Sequence, residues 1–323
     1  MRLSTTTIYQ QNLSSITNAY SKYQESALQL SSGKRVNTPS DDPIAASQAV
    51  ILSQTQASSS QYATSRDSAT NNLSLETTVL DQVTDVIQNV QTLVIKAGNT
   101  TYSDADRQSL ATELQGYKDQ LLSLANTTDS NGNYIFAGYQ TETEPFVMDS
   151  SGNVTYAGGS VAISQKVDSS RTMTTGDTGS DVFMSLAAGY KTEPDGSTSE
   201  SNVFNTIDTA LEALDISLDN AGSDTTITDN YTALLDKANR GMSNSLDNVL
   251  TVQASVGSKL NELNTLDSIG DSKDILMSDR MSDLVDADIY ETYSEYSLRQ
   301  VALQAAYGAF SSLKDLSLFT MNG

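Results

Sequence analysis

Apolar positions fall into helical heptads over most of the chain, with one interruption near the middle. Tyr9, Leu13, Ile16, Tyr20, Tyr23, Ala27 and Leu30 are spaced alternately four and three apart, the seam of a coiled coil. The run stops at Ser31-Ser32-Gly33, where glycine can take the left-handed conformation that closes a helix. Asp41-Asp42-Pro43 opens the next helix with an acidic cap and a first-turn proline. Its stripe is Ala69, Leu73, Leu80, Val83, Ile87, Val90, Val94 and Ala97. A third helix starts near Ser103, with Asp106 completing a capping box. Leu110, Leu114, Tyr117, Leu121 and Leu124 form its face. Further on, Val203, Ile207, Ala210, Leu211 and Leu214 predict a short helix. Ala238, Met242, Leu246, Val249, Val256, Leu260, Leu263 and Leu266 predict a long one. Finally Ile289, Tyr296, Leu303 and Phe310 recur every seven residues, with Ala306 and Leu313 filling in. An apolar helical face is ordinarily buried in its own domain, so the middle stripes read as bundle core.

The interruption is marked by glycine and proline. Nine of 18 glycines lie between Gly132 and Gly196, and 44–144 and 195–323 contain no proline. Turn-like pieces such as Asn131-Gly132-Asn133 and Ser151-Gly152-Asn153 separate short β-type runs at Asn153–Tyr156 and Ser160–Val167. The expected fold is therefore mainly α: an elongated rod of long heptad-patterned helices, with an N- and C-terminal coiled coil, a helical bundle, and a small β-rich domain inserted at the middle. The expected divisions are 1–40 with 285–323 as the coiled coil, 41–130 with 200–284 as the helical rod, and 131–199 as the β-rich insert.

Charge separates the two ends. Residues 1–40 carry four bases and one acid, and residues 283–323 carry two bases and six acids. Both ends are heptad-patterned and opposite in sign, so they can pair with each other. Ser and Thr number 82 of 323, and helices so rich in them are weak in isolation. The ends should become fully ordered only in an assembly.

Composition excludes much chemistry. The chain has no His, Cys or Trp, so a Ser-His-Asp triad, a thiol nucleophile, a disulfide framework and imidazole or thiolate zinc sites are ruled out. No cofactor is expected. A net charge of −22 leaves no cationic footprint for nucleic acid or an anionic membrane, and no apolar run approaches the length of a membrane span. The start, Met-Arg-Leu-Ser-Thr-Thr-Thr, has no apolar region of a secretory signal. The protein stays in the cytoplasm or leaves by a route that reads no cleaved signal.

Motifs that suggest chemistry fail on inspection. Gly33-Lys34 lacks both flanks of a phosphate-binding loop, since residue 28 is Leu and residue 35 is Arg. Ser31-x-x-Lys34 and Ser311-x-x-Lys314 match a hydrolase motif, as chance allows in so serine-rich a chain. Asp129-Ser-Asn131-Gly-Asn133 has the first half of a calcium loop, but its twelfth position is Gln140 instead of Glu. A side-chain-stabilised turn explains it better. Helix capping explains Asp41/Asp42 and Asp104/Asp106.

Residues 30–43, Leu-Ser-Ser-Gly-Lys-Arg-Val-Asn-Thr-Pro-Ser-Asp-Asp-Pro, closely resemble the N-terminal segment shared by bacterial flagellins and the hook–filament junction proteins of the flagellum. Asp286-Ala287-Asp288-Ile289-Tyr290-Glu291-Thr292 resembles the matching C-terminal segment of the same superfamily. Tyr134–Gly138 with Thr141, Thr143 and Pro145-Phe146, and the ending Leu316-Ser317-Leu318-Phe319, look like the junction proteins more than flagellin. The resemblance implies an axial coiled-coil domain at the chain ends, an outward-projecting β-rich insert and a structural role without catalysis. It implies export through the flagellar type III channel to the extracellular flagellum. The implied partners are copies of itself in a ring-like layer, the first hook-associated junction protein, flagellin, and a cytoplasmic export chaperone on the C-terminal helix. The expected partner-binding seam comprises Leu13, Ile16, Tyr20, Tyr23 and Leu30 at one end, and Ile289, Tyr296, Leu303, Phe310, Leu313, Leu318 and Phe319 at the other. The alternatives are flagellin itself and, from another class, a carbohydrate-active enzyme using carboxylates in the insert.

Overall fold

The computed structural model describes residues 5–218 and 225–321, with side chains described for 6–218 and 225–312. Seven helices and four strands occur among these residues: α1 (Thr5–Ser32), α2 (Pro43–Ala97), α3 (Asp104–Ala125), β1 (Phe146–Met148), β2 (Val154–Tyr156), β3 (Ser164–Asp168), β4 (Arg171–Thr174), α4 (Gly179–Phe183), α5 (Val203–Asp215), α6 (Thr225–Val285) and α7 (Ile289–Met321). They form two compact units. One gathers residues up to Ser60 with those from Gly270 on; the other is Gln61–Ile269.

The core lies in Gln61–Ile269. All eight positions of the α2 stripe, Ala69 to Ala97, are buried. Leu110, Leu114 and Leu121 of α3, Val203, Ile207, Ala210 and Leu214 of α5, and Ala238, Met242, Val249, Val256 and Leu263 of α6 share one cluster with them. Each fully buried side chain of this kind contributes roughly 1.5–3 kcal/mol, so four stripes closing on one another hold these helices together. The start of α3 is fixed as its sequence predicts. The Ser103 hydroxyl accepts the Asp106 N–H at 3.3 Å, and the Asp106 carboxylate accepts the Ser103 N–H at 3.1 Å.

The strand region consists of two separate antiparallel hairpins, β1 with β2 and β3 with β4. β2 falls where the sequence places a strand, whereas β3 begins at Ser164, later than expected. Inward residues of both hairpins join the helical core. Phe146 packs its ring 5.3 Å from Phe183, 5.6 Å from Phe204 on α5 and 5.1 Å from Tyr156. Phe136 meets Phe183 edge-on at 5.3 Å. Two glycines make room for this packing. A Cβ on Gly179 would stand 2.5 Å from the Phe146 ring, and Gly138, at φ +58°, would place one 2.6 Å from the Val161 carbonyl. The half calcium loop is a turn: Asp129 Oδ1 accepts the N–H groups of Asn131 and Asn133 at 2.8 and 2.9 Å. Asp149 repeats the arrangement with Ser151 and Asn153 at the same distances.

Four buried charged residues interrupt the apolar core. Arg66 donates to Asp267 at 2.5 Å and to the Val167 carbonyl at 3.2 Å. Arg107 pairs with Asp104 and lies 5.9 Å from the centre of the Tyr231 ring. Lys118 pairs with Asp208 and donates to the Gly152 carbonyl at 2.6 Å. Glu76 has no cation of its own. Burial, and after it the neighbouring Asp177 charge, push its carboxyl up to about 8 from an ordinary value of 4.5. In the native chain Glu76 therefore keeps its proton at pH values where the unfolded chain has lost it. Its contribution to stability is fully present below about pH 4.5 and is lost as pH rises to about 8. Glu76→Gln keeps the neutral shape. In cation-free buffer it is expected to flatten the fall of the melting temperature between pH 5 and 8. A variant whose melting temperature tracks the native chain at every pH would contradict this.

Candidate assembly seam

The unit built from the two chain ends joins α1 to α7 as antiparallel neighbours. The Tyr9 and Phe310 rings lie 5.4 Å apart, and those of Tyr23 and Tyr296 lie 5.2 Å apart. The Tyr23 and Tyr296 hydroxyls share a hydrogen bond of 2.9 Å. That bond, followed by desolvation, raises the Tyr23 phenol above its ordinary range. The index sum is 319 for both ring pairs, so a single register runs the length of the contact.

The two segments that carry the flagellar resemblance meet at the closed end of this pair. Gly33, at φ +69°, ends α1 with its N–H on the Gln29 carbonyl at 2.9 Å. The chain then runs antiparallel to 285–287. Arg35 N–H donates to the Val285 carbonyl at 2.7 Å, Ala287 N–H donates to the Gly33 carbonyl at 2.9 Å, and Lys34 and Asp286 form a β-bridge. The Arg35 guanidinium reaches the Leu284 carbonyl at 2.8 Å and Asp42 at 3.2 Å. Asp42 Oδ1 caps α2 by accepting the N–H groups of Ile44 and Ala45 at 3.2 and 3.0 Å. These bonds, the Ala45 N–H foremost and the Arg35 guanidinium next, hold its carboxyl below the usual carboxylate range. Asp288 caps α7 in the same way, accepting from Tyr290 and Glu291 at 2.9 and 3.2 Å.

The facing register differs from the apolar pattern. On α1 the residues that are not exposed are Ile8, Asn12, Ile16, Ala19, Tyr23, Ser26, Ala27, Gln29 and Leu30; on α7 they are Thr292, Tyr296, Ser297, Arg299, Leu303, Ala306 and Phe310. Ile16, Tyr23, Ala27 and Leu30 are common to this set and the apolar heptad. Leu13 and Tyr20 are instead 49% and 45% exposed, and Ile289 is 59% exposed. The side chains of Leu313, Leu318 and Phe319 lie outside the described residues. Small and polar groups such as Ala19, Ser26 and Thr292 let the helices approach, and no apolar pattern could announce them. The mirrored position of the two motif segments was the available signal for the bridge between 34 and 286.

This unit has almost no core. Val36 and Ala45 are its buried apolar residues among those described, yet Leu28, Ile44, Val50, Ile51, Ile275, Leu276, Tyr290, Tyr293, Leu298, Val301 and Tyr307 are exposed. The large apolar residues of this unit are thus mostly exposed, in contrast with those of Gln61–Ile269. No helix among the described residues is long and apolar enough to cross a membrane.

The bacterial flagellin N-terminal helical region matches residues 3–141. Flagellar hook-associated protein 3 of Escherichia coli (strain K12) is 51% identical over 322 residues, 100% of each chain. The crystal structure of flagellar hook-associated protein 3 from Legionella pneumophila has the same fold, with a TM-score of 0.65 at 19% identity over 72% of this chain and 98% of that one. The flagellar filament 41 kDa core protein of Borreliella burgdorferi is 32% identical, but over 34% of this chain and 32% of its own length. The N-terminal match is to a flagellin helical region, and the fold is the one seen in hook-associated protein 3. The chain belongs to the family of flagellar hook-associated protein 3.

Proposed function

We propose that this chain is a structural subunit of the bacterial flagellum at the junction between hook and filament, and that the unit of its two ends is the part that assembles. The observation that carries the reading is the contrast within one chain: a closed core in Gln61–Ile269, and a unit of the ends that has, among the described residues, two buried apolar residues and many exposed ones. Such a unit gains its missing burial by packing against other copies of this chain in a ring-like layer, against the first hook-associated junction protein on one side and flagellin on the other. The role is structural and needs no catalysis. In this reading residues 1–40 and 285–323 form the axial domain, 41–130 and 200–284 the rod, and 131–199 the outward region. Flagellin as an alternative is disfavoured because the full-length likeness is to hook-associated protein 3 and the flagellin likeness covers about a third of the chain. Immuno-electron microscopy on intact flagella is expected to label one narrow band between hook and filament. Label along the filament would support the flagellin reading instead.

Export precedes assembly in this scheme. The chain leaves unfolded through the flagellar type III channel with an uncleaved N-terminal signal. Until then a cytoplasmic chaperone covers α7, whose apolar side chains Tyr290, Tyr293, Leu298 and Val301 are solvent-exposed. A helix with apolar side chains so exposed can be held in an apolar groove, which also blocks premature pairing with α1. A fragment ending at residue 284 is expected to lose the chaperone in a pull-down that retains the full chain. Equal capture of both would place the chaperone elsewhere or remove it from the scheme.

A further inference from the structure

A cavity of about 160 Å³ lies within Gln61–Ile269, between α2 and the loops around the hairpins. Glu76, Asn72, Gln165, Thr175, Gly176 and Ile135 line it. Glu76 is 2% exposed. Its Oε1 accepts the Asp177 N–H at 3.2 Å, whereas Oε2 is buried without a hydrogen-bond partner. The space beside Gly176 is open. A Cβ there would meet only the Ile135 carbonyl oxygen at 3.8 Å and Glu76 Oε2 at 3.9 Å. Two oxygens thus flank one void, one of them belonging to a buried carboxyl group whose facing oxygen no hydrogen bond engages. Lys259 is the nearby cation, and it is committed to Asp177 at 3.0 and 3.2 Å. Asp129 also borders the cavity, but its carboxylate already accepts N–H groups from Asn131 and Asn133.

We propose that this cavity binds one hard divalent cation, calcium in preference to magnesium, with Glu76 as its anionic ligand and the Ile135 carbonyl and neighbouring amide and hydroxyl oxygens completing the shell. The donor set is oxygen throughout, which selects hard cations over transition metals. Calcium accepts six to eight oxygens in flexible geometry, whereas magnesium demands a near-ideal octahedron and dehydrates reluctantly. A cavity of this size holds the ion with several of its waters. No cluster of three acidic residues fit for a metal exists among the described residues, so the site relies on one carboxylate and neutral oxygens. Its dissociation constant belongs at about 10⁻⁴–10⁻³ M. The two costs that make Glu76 retain a proton, burial and the Asp177 charge, are equally relieved by a bound cation. Proton and cation therefore compete, and binding tightens as pH rises toward 8.

The test uses the full chain, stripped by chelator and titrated with calcium chloride at constant ionic strength and pH 8. Equilibrium dialysis is expected to find one saturable ion per chain, and the melting temperature of the core is expected to rise with saturation. Glu76→Gln should weaken binding at least tenfold. Gly176→Ala keeps the carboxylate and puts a methyl into the void without a close contact, and it should weaken binding as much. Either variant that folds carries the test. No saturable binding by the native chain would overturn the proposal. So would undiminished binding in a folded variant, the result expected of surface carboxylates on a chain of charge −22. An equal response to magnesium chloride would overturn the preference for calcium.

Discussion

Replacing Phe310 with Asp is expected to abolish junction assembly while leaving the thermal transition of the core unchanged. Phe310 is a shielded position of α7 and touches Tyr9 on α1. The substitution removes one of the two ring contacts between these helices. It also places a carboxylate where assembly would bury it, at a cost above the roughly 2–7 kcal/mol of an unpartnered neutral polar group. At about 1.4 kcal/mol per factor of ten, even the lower figure shifts the assembly equilibrium by more than tenfold for each subunit, and a ring multiplies that cost. The core should not register the change, because its buried residues lie in Gln61–Ile269. The readouts are swimming, filament attachment, and calorimetry of the purified chain. Cells carrying Phe310→Asp that build and hold filaments normally would contradict the seam model. A lowered core transition would show instead that the substitution acts through folding.

Leu13→Asp tests the same unit on a different face and clarifies why part of it escaped the sequence. The apolar heptad of α1 runs 9-13-16-20-23-27-30, and the shielded positions include the series 12-16-19-23-26-30 with Ala27 beside it. Both have the four-three spacing, so periodicity established the helix and its approximate face. It could not decide between faces that share Ile16, Tyr23, Ala27 and Leu30. Pairing used the small and polar positions Ala19 and Ser26, leaving Leu13 and Tyr20 outside. Hydrophobic pattern therefore reports which residues need burial, whereas intramolecular contact reports only the share buried within one copy.

The core was more legible because it closes within the chain. Every α2 stripe residue from Ala69 to Ala97 named from spacing is buried. The same heptad also contained the unread signal for the buried charges. Between Leu73 and Leu80 the four-three spacing requires a shielded residue at 76, and that residue is Glu76; one step before Ala69 it requires 66, which is Arg66. Arg107 and Lys118 fill equivalent slots around Leu110, Leu114 and Leu121 on α3. A charged residue in an apolar slot looks like a gap in the stripe. It is better read as a buried charge in need of a partner, which Arg66, Arg107 and Lys118 find in a carboxylate and Glu76 finds only in the Asp177 N–H. Strands β1 and β4 were missed for another reason. With three and four residues they are too short for alternation to show, and β2, as short as β1, is placed by the Ser151-Gly152-Asn153 turn before it.

Phe146→Ala is expected to lower the stability of the whole Gln61–Ile269 unit by roughly 3–5 kcal/mol. The side chain is fully buried and lies against Tyr156 of β2, Phe183 of α4 and Phe204 of α5. Its removal leaves a cavity that these rings cannot close without leaving their own contacts. For a unit of this size, each kcal/mol corresponds to about 2–4 °C in melting temperature, so the fall should be about 6–20 °C. The manner of the fall matters as much as its size. Phe146 starts a hairpin strand, and its partner Phe204 sits on a helix of the bundle. If strands and helices share one core, calorimetry will show a single transition that moves as a whole. If 131–199 folds independently, Phe146→Ala will split the transition and lower only one part of it. Phe146→Leu retains most of the apolar volume and should recover much of the loss, which separates a packing effect from damage to the β1–β2 pairing. A fall of less than about 1 kcal/mol, below the range for emptying a core aromatic site, would mean that the four rings do not hold the hairpins to the bundle.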